Sequence, residues 1–292
     1  MKKVNISVCI CSRYFNNNLM KLLESLKKNK NKRYFLKIVI IFNNLKKIES
    51  REIKKIHKIY KPSLIKILYE KKIGVSHARN KFLNYIKNKN TDFCCFLDDD
   101  CVVKKNYFLN YIKIIDKEDC NIFTGPQVYK SKNYFFRYLE RNYLDGSIVK
   151  WASTNNVFFR KNILSKNIFF STKVTKYGFG EDQLFFSKYS QFGEKIKWFN
   201  NKVYELRQKN RENIKWFLSR NYYYGLTGFL IDKELHGILA CIPVNIVKSL
   251  YYLIKMFINV VFIFINPKKN LILSISNFLR FFGRIVSLKN II

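Results

Sequence analysis

From residue 5 to about residue 115, short continuous apolar runs alternate with stretches whose apolar residues recur every three or four positions. The runs are NISVCIC (5–11), YFLKIVIIF (34–42), LIKILY (64–69) and DFCCFL (92–97). They are followed in turn by NNNLMKLLESLKK, LKKIESREIKKIHKIY, SHARNKFLNYIKN and KKNYFLNYIKII. Such alternation predicts an α/β fold: a mostly parallel sheet flanked by helices. Beyond residue 120 the pattern is less regular. NIFTGPQVY (121–129), STNNVFFR (153–160), KIKWF and KVYEL read as strands, and GEDQLFFSKYSQFG (180–193) as a short helix.

The last stretch differs again. From about Ile238 to Ile292 the chain is rich in Leu, Ile, Val and Phe. Segment 243–265 starts with a proline suited to a helix start and is long enough to cross a bilayer. Asn245, Lys248, Tyr252, Lys255 and Asn259 recur at threes and fours along it, and Asn277, Arg280 and Arg284 repeat the design in 271–289. A narrow polar stripe on an apolar helix predicts helices lying in the membrane interface, apolar face down and lysines toward headgroups. Spanning helices, or helices packed on the protein's own core, are the alternatives. The expected division is a catalytic-sized domain over 1–230 and an apolar, amphipathic, membrane-associating helical tail over 231–292.

Charge changes this picture little. The chain carries 55 Lys and Arg against 20 Asp and Glu, a formal +35, which favours acidic partners in general. The Lys, Asn and Ile usage is what an AT-rich genome writes into any protein, and the charge is spread over every helix. No nucleic-acid-reading motif is present, so nucleic acid is not an expected partner. The cysteines, at 9, 11, 94, 95, 101, 120 and 241, lack metal-knuckle spacing and lie mostly in apolar runs, as buried reduced thiols would. The apolar run after MKKVN is only about eight residues long, which marks a first strand and not a signal peptide.

Against this basic background three aspartates, Asp98, Asp99 and Asp100, follow the fourth apolar run. Ligands of such sheets bind beyond the carboxyl ends of the strands. Adjacent carboxylates repel unless a cation or strong donors offset them, and Mg²⁺ or Mn²⁺ takes one or two carboxylates with water and substrate phosphates completing its shell. Alternate residues of an extended chain turn the same way, so Asp98 and Asp100 are able to serve one site while Asp99 faces elsewhere. A solvated loop with helix-capping acids is the alternative.

The ordered set ISVCICSRYFNNNLMKLLESL, IGVSHARNKFLNYI, FCCFLDDDCVVKKNYF, STNNVFFRKNIL and GFGEDQLFF resembles the family 2 glycosyltransferases over about residues 4–225. The resemblance implies the GT-A fold, a nucleotide-sugar donor and a divalent metal, Mg²⁺ or Mn²⁺. It places Ser12 and Arg13 beside the donor's base and ribose and Arg79 near the nucleotide. Asp98 and Asp100 become the D-x-D pair, with Asp100 the direct metal ligand and Asp98 or Asp99 on ribose or metal. Trp151, Asn155 and Asn156 fall on the acceptor side. Asp182 matches the catalytic base, with Glu181 its alternative or an acceptor partner, and Arg220 with its neighbouring tyrosines falls near diphosphate or acceptor. Two positions depart from the family pattern. Phe42, followed by Asn43, stands where many members carry a nucleotide-gripping aspartate, which shifts that contact to the Asn43 amide. Glu205 stands where many carry a metal-reaching histidine and is a candidate third ligand.

Tail and resemblance together point to a metal-dependent, inverting glycosyltransferase at the cytoplasmic side of the inner membrane, peripheral or tail-anchored. Its expected acceptor is an envelope glycan or a lipid-linked molecule. The alternatives are a non-enzymatic basic protein binding nucleic acid or anionic membrane, and a family member that has lost activity.

Overall fold

The computed structural model describes residues 3–129, 140–175, 178–206 and 211–288. These fall into two compact units, one of residues 3–129, 140–172 and 185–206, the other of 173–184 and 211–288. This grouping cuts the chain differently from a division at residue 230.

The first unit is built on a seven-stranded sheet. Strands β1 (Val4–Ser12), β2 (Tyr34–Phe42), β3 (Ile65–Tyr69) and β4 (Phe93–Asp98) run parallel in the order β3-β2-β1-β4. β8 (Val157–Arg160) lies antiparallel to β4, then β6 (Ile122–Thr124), and β9 (Ile196–Trp198) closes the edge. A second sheet of three short strands has the order β5 (Cys101–Val103), β10 (Val203–Glu205), β7 (Gln127–Tyr129). The expected strand 121–129 is therefore two strands in different sheets, split at Gly125 and Pro126. A side chain at Gly125 would collide with the carbonyl oxygens of Phe199 and Asn201, at 2.5 and 2.8 Å.

Continuous apolar runs arise because both faces of the sheet are covered. Val8, Ile10, Ile38, Ile40 and Phe42 join one core with α1 (Asn17–Lys27) and α4 (Tyr107–Ile115). Cys9, Val39 and Ile41 join the other with α3 (Val75–Ile86) and with Phe185, Phe186 and Tyr189 of α6 (Glu181–Gln191). The remaining helices of this region are α2 (Ser50–Ile59) and the short α5 (Thr172–Thr175). Phe42, at the position that departs from the family pattern, is wholly buried and stacks on Tyr69. Its backbone therefore ends β2 as core, and Asn43 is the first polar group beyond it.

The second unit contains α7 (Ile214–Val261) and α8 (Pro267–Leu288), both long and apolar enough to cross a membrane by length and composition. α7 is interrupted at Gly237, whose φ of 79° and ψ of 170° no other residue type adopts readily. The polar stripes divide, with Lys248 and Lys255 exposed and Asn245, Asn277 and Arg284 turned inward. Asn245 and Arg284 are buried, Asn277 is nearly so, and Lys248 bonds to buried Asp232. The outward surface is apolar.

A candidate donor and metal site at the strand ends

Parallel pairing sets Cys11 opposite Asp98, so the carboxyl ends of β1 and β4 stand side by side. From α3, Arg79 is buried yet reaches the half-exposed Asp98, with Nη2 3.5 Å from Oδ1, and its guanidinium lies over the Phe170 ring at 5.5 Å. A cation this well buried needs both a carboxylate and an aromatic face to offset its lost hydration. Its anchoring fixes the direction in which Asp98 points.

Asp99 turns the other way. It accepts from the Ser12 hydroxyl and from Asn16 Nδ2, while the Asn16 oxygen caps α1 by accepting from the Leu19 amide at 2.8 Å. Asp99 thereby ties the strand end to the first βα turn, and the Ser12 hydroxyl is engaged in the same tie. Arg13, one residue on, is exposed beside the Tyr14 ring.

Asp100 is buried to 8% exposure, and its carbonyl accepts from the Leu206 amide at 2.7 Å. Antiparallel pairing of β5 with β10 then sets Glu205 opposite Cys101. The Cys101 thiol reports the result: burial pushes it well up, and the charges of Asp100, Asp98 and Glu205 add to that. Strand register thus brings Asp98, Asp100 and Glu205 to adjoining strand ends in a chain of formal charge +35.

Glu205 accepts from Gln127 Nε2, and Gln127 Oε1 accepts from Asn155 Nδ2. Gln127 is a residue that sequence reasoning missed, because only the pairing of β7 with β10 brings it to Glu205. The donor set is all oxygen, which suits Mg²⁺ or Mn²⁺ over softer metals. Among the described residues no three His, Cys, Asp or Glu side chains are already gathered as a ligand shell.

Other expected site residues have their bonds spent on structure. Asn43 Nδ2 donates to the carbonyls of Glu70 and Lys72, and its oxygen accepts from the Gly74 amide. Its side chain holds the loop from β3 to α3. Asn156 is fully buried: its oxygen accepts from the Tyr107 and Tyr111 hydroxyls, and its nitrogen donates to the carbonyls of Pro126 and Asn201. With all four bonding positions taken inside the core, Asn156 does not face an acceptor as expected. It pins β8 to α4 and to the loop between β6 and β7. Trp151, half-buried, has the Arg141 guanidinium 3.8 Å from its ring centre, and Arg141 also donates to the Trp151 carbonyl.

Glu181 and Asp182 belong to the second unit and open α6, where carboxylates are favoured by the helix dipole. Asp182 Oδ1 accepts from the Gln183 amide at 2.7 Å. Gly180 before them has φ +92°, and a side chain there would press on Ile231, Val174 and Thr227. Arg220 of α7 lies 4.7 Å from the Phe179 ring centre, donates to Tyr224 and stacks near Trp216, so it braces the loop that carries the two acids.

The "Glycosyl transferase family 2" model matches residues 7–183, more than half of the chain. None of the curated proteins searched matches the sequence. Solved structures do match in fold. S. aureus TarS superposes with a TM-score of 0.56 at 15% identity, over 79% of this chain and 40% of that one. The mannosyltransferase PcManGT from Pyrobaculum calidifontis, in complex with GDP-Man and Mn²⁺, gives 0.59 at 12%, over 80% and 64%. GalNAc-T7 with UDP, GalNAc and Mn²⁺ gives 0.58 at 13%, over 78% and 51%. The chain thus spans only part of these relatives' length, and the likeness to them is one of fold. The mostly parallel sheet, the acidic strand end and the matched family model together make the chain a member of glycosyl transferase family 2, with the GT-A architecture of the nucleotide-sugar-dependent glycosyltransferases.

Proposed function

We propose that the protein is a metal-dependent, inverting glycosyltransferase that moves a sugar from a nucleotide-sugar to an envelope glycan or lipid-linked acceptor at the cytoplasmic face of a membrane. The observation that carries this is the placement of Asp98, Asp100 and Glu205 at adjoining strand ends, with Glu205 paired opposite Cys101 and Arg79 3.5 Å from Asp98. Structures of the same fold hold Mn²⁺ with UDP and GalNAc or with GDP-Man, and TarS has been solved with UDP-GlcNAc.

In this reading Asp100 and Asp98 hold the divalent cation, with Glu205 as a further oxygen ligand oriented by Gln127. The cation, when bound, screens the charge of the diphosphate. Arg79 fixes Asp98 and adds positive charge where the leaving group develops its own. Asp99, by bracing the first βα turn with Ser12, shapes the bed for the nucleotide around Arg13 and Asn43. Asn155 and Trp151 line the acceptor side.

Asp182 takes the proton of the acceptor hydroxyl as that oxygen attacks the anomeric carbon. One bond forms from acceptor oxygen to sugar, the bond from sugar to diphosphate breaks, and the diphosphate leaves with the electron pair. A single displacement of this kind inverts the anomeric centre. Glu181 stands by as a hydrogen-bond partner of the acceptor.

The test is incubation with Mg²⁺ or Mn²⁺ and a panel of nucleotide-sugars, following donor hydrolysis or transfer and the anomeric configuration of the product. The reading requires one donor to be consumed with inversion, and only with divalent metal. Retention of configuration, or full turnover in chelator, would sink it.

A further inference from the structure

The second unit has its polarity inverted. In a helix pair stabilised by water, apolar stripes face each other and charges face out. In α7 and α8 one charged pair is inside, Asp232 with Arg284, while Lys248 and Lys255 remain exposed. Lys248 Nζ donates to Asp232 Oδ1 at 2.6 Å, although an unbroken helix would hold residues sixteen apart at about 24 Å. The chain therefore doubles back at Gly237. Arg284 of α8 completes the seam, donating through Nη1 to Asp232 Oδ2 at 3.0 Å and to Asn245 Oδ1 at 2.8 Å. Arg280 adds a bond to buried Asn221 at 2.9 Å. Asp232, Asn245, Ser249 and Arg284 are each at most 4% exposed.

The opposite surface is apolar along its length. Val247, Leu250, Ile254, Phe257, Val261 and Leu271 are all exposed, and at the turn between the helices Phe264 is 91% and Ile265 77% exposed. A patch of this extent is far beyond what water tolerates on a lone soluble protein. A buried ion pair such as Asp232 with Arg284 is what hydrocarbon demands of charges, because no solvent there can satisfy them, although Asn245 Nδ2, Ser249 Oγ and Arg284 Nε find no partner among the described residues. The lengths agree. The part of α7 after Gly237 is about 36 Å long and α8 about 33 Å, against a hydrocarbon thickness of about 30 Å. Lys268 and Lys269 sit exposed just past the turn, at the tip, where headgroups of the far leaflet would meet them. Lys255 interrupts the apolar surface and lies 5.0 Å from the Tyr251 ring centre, whose face takes part of its charge.

We infer that this hairpin inserts tip-first into the hydrocarbon of a lipid bilayer, with the seam of Asp232, Asn245, Lys248 and Arg284 holding its helices together. It is not a pair of helices resting on the surface. The inference rests on the membrane reading of the tail and is independent of sugar transfer, so a failed transferase assay leaves it standing.

The test uses the full-length protein reconstituted into vesicles of phosphatidylcholine and phosphatidylglycerol. The Phe264→Trp variant adds an emission to that of Trp151, Trp198 and Trp216, read as the difference from wild type. Insertion requires that the added emission be quenched at least about twofold more by lipids brominated deep in the acyl chain or in the far leaflet than by lipids brominated near the headgroup of the entry leaflet. It also requires the protein to remain with the vesicles through an alkaline carbonate wash. A Phe264→Asp, Ile265→Asp variant should bind vesicles at least tenfold more weakly while its sheet-bearing unit melts at the wild-type temperature. Preferential quenching near the entry headgroups, or release by carbonate, overturns the inference in favour of helices on the surface. Equal vesicle binding by the double aspartate variant overturns it as well. So does a shielded tryptophan emission in lipid-free protein that tracks self-association, because a second copy of the chain would then cover the patch.

Discussion

Replacing Asn156 by alanine removes an amide that occupies four buried groups at once: two tyrosine hydroxyls and the carbonyls of Pro126 and Asn201. Tyr107 and Tyr111 are 1% and 0% exposed, so bulk water does not replace the lost partner. Each stranded group costs about 1–3 kcal/mol. Allowing for local relaxation and an entering water, the net loss is at least about 3 kcal/mol, at the high end for a single substitution. At roughly 2–4 °C per kcal/mol this lowers the melting temperature of the sheet-bearing unit by roughly 6–12 °C. Thermal unfolding in detergent, followed by tryptophan fluorescence, measures it. Tyr107→Phe and Tyr111→Phe should each cost less, and each should couple to Asn156→Ala in a double-mutant cycle because they share one acceptor. A shift below about 2 °C for Asn156→Ala, or full additivity with both tyrosine variants, would refute the assignment of Asn156 as a structural pin. Asn155→Ala, one residue away, should instead lower transfer with little change in melting.

Asp182→Asn should lower kcat by roughly 10²–10⁴-fold with an unchanged melting temperature; near-normal turnover would remove Asp182 from the base role. Arg79→Lys keeps the charge but loses the planar fork and its stacking on Phe170, so the donor KM should rise about tenfold or more, measured by initial rates. Gln127→Leu strips Glu205 of its donor, and the divalent metal needed for half-maximal transfer should rise about 10–100-fold. Glu194 is lowered below the usual carboxylate range: burial opposes this, but hydrogen bonds from Asn121 and Lys166 outweigh it. Its stabilisation is therefore fully present above the ordinary glutamate pKa of about 4.3 and is lost as pH falls through the lower folded value. Melting temperatures of Glu194→Gln should fall less steeply than wild type between about pH 5 and 3.

The sheet and its helices were legible in the sequence because burial on both faces writes unbroken apolar runs, and β2 (Tyr34–Phe42) matches its run end to end. The second sheet was not. Its strands have three residues each, too short for any period, and β5 (Cys101–Val103) lies in what reads as the approach to a helix. STNNVFFR reads as one strand, yet only Val157–Arg160 is extended, because Asn155 and Asn156 are bonded across to residues 28 and more positions away. The same distance hid Gln127. The acidic cluster was legible through its contrast with a basic chain, but strand alternation does not divide its members, because β4 ends at Asp98 and Asp99 and Asp100 form the turn before Cys101. The tail's periodicity suggests one polar stripe per helix, yet Asn245 is buried while Lys248 and Lys255 are exposed, and a stripe does not say whether it faces water or another stripe. The partner bonds of Arg284 decide that, and they cross 39 to 52 residues.

The proposed sugar transfer depends on Asp98 and Asp100 holding a cation that the donor diphosphate requires. The most direct measurement is the melting temperature of the detergent-solubilised protein with each nucleotide-sugar, with and without Mn²⁺, in wild type and in an Asp98→Asn, Asp100→Asn variant. The prediction is that one donor raises the melting temperature of wild type only when Mn²⁺ is present, and that the rise vanishes in the variant. A donor-dependent rise of equal size without metal, or one that survives the double substitution, would contradict the account.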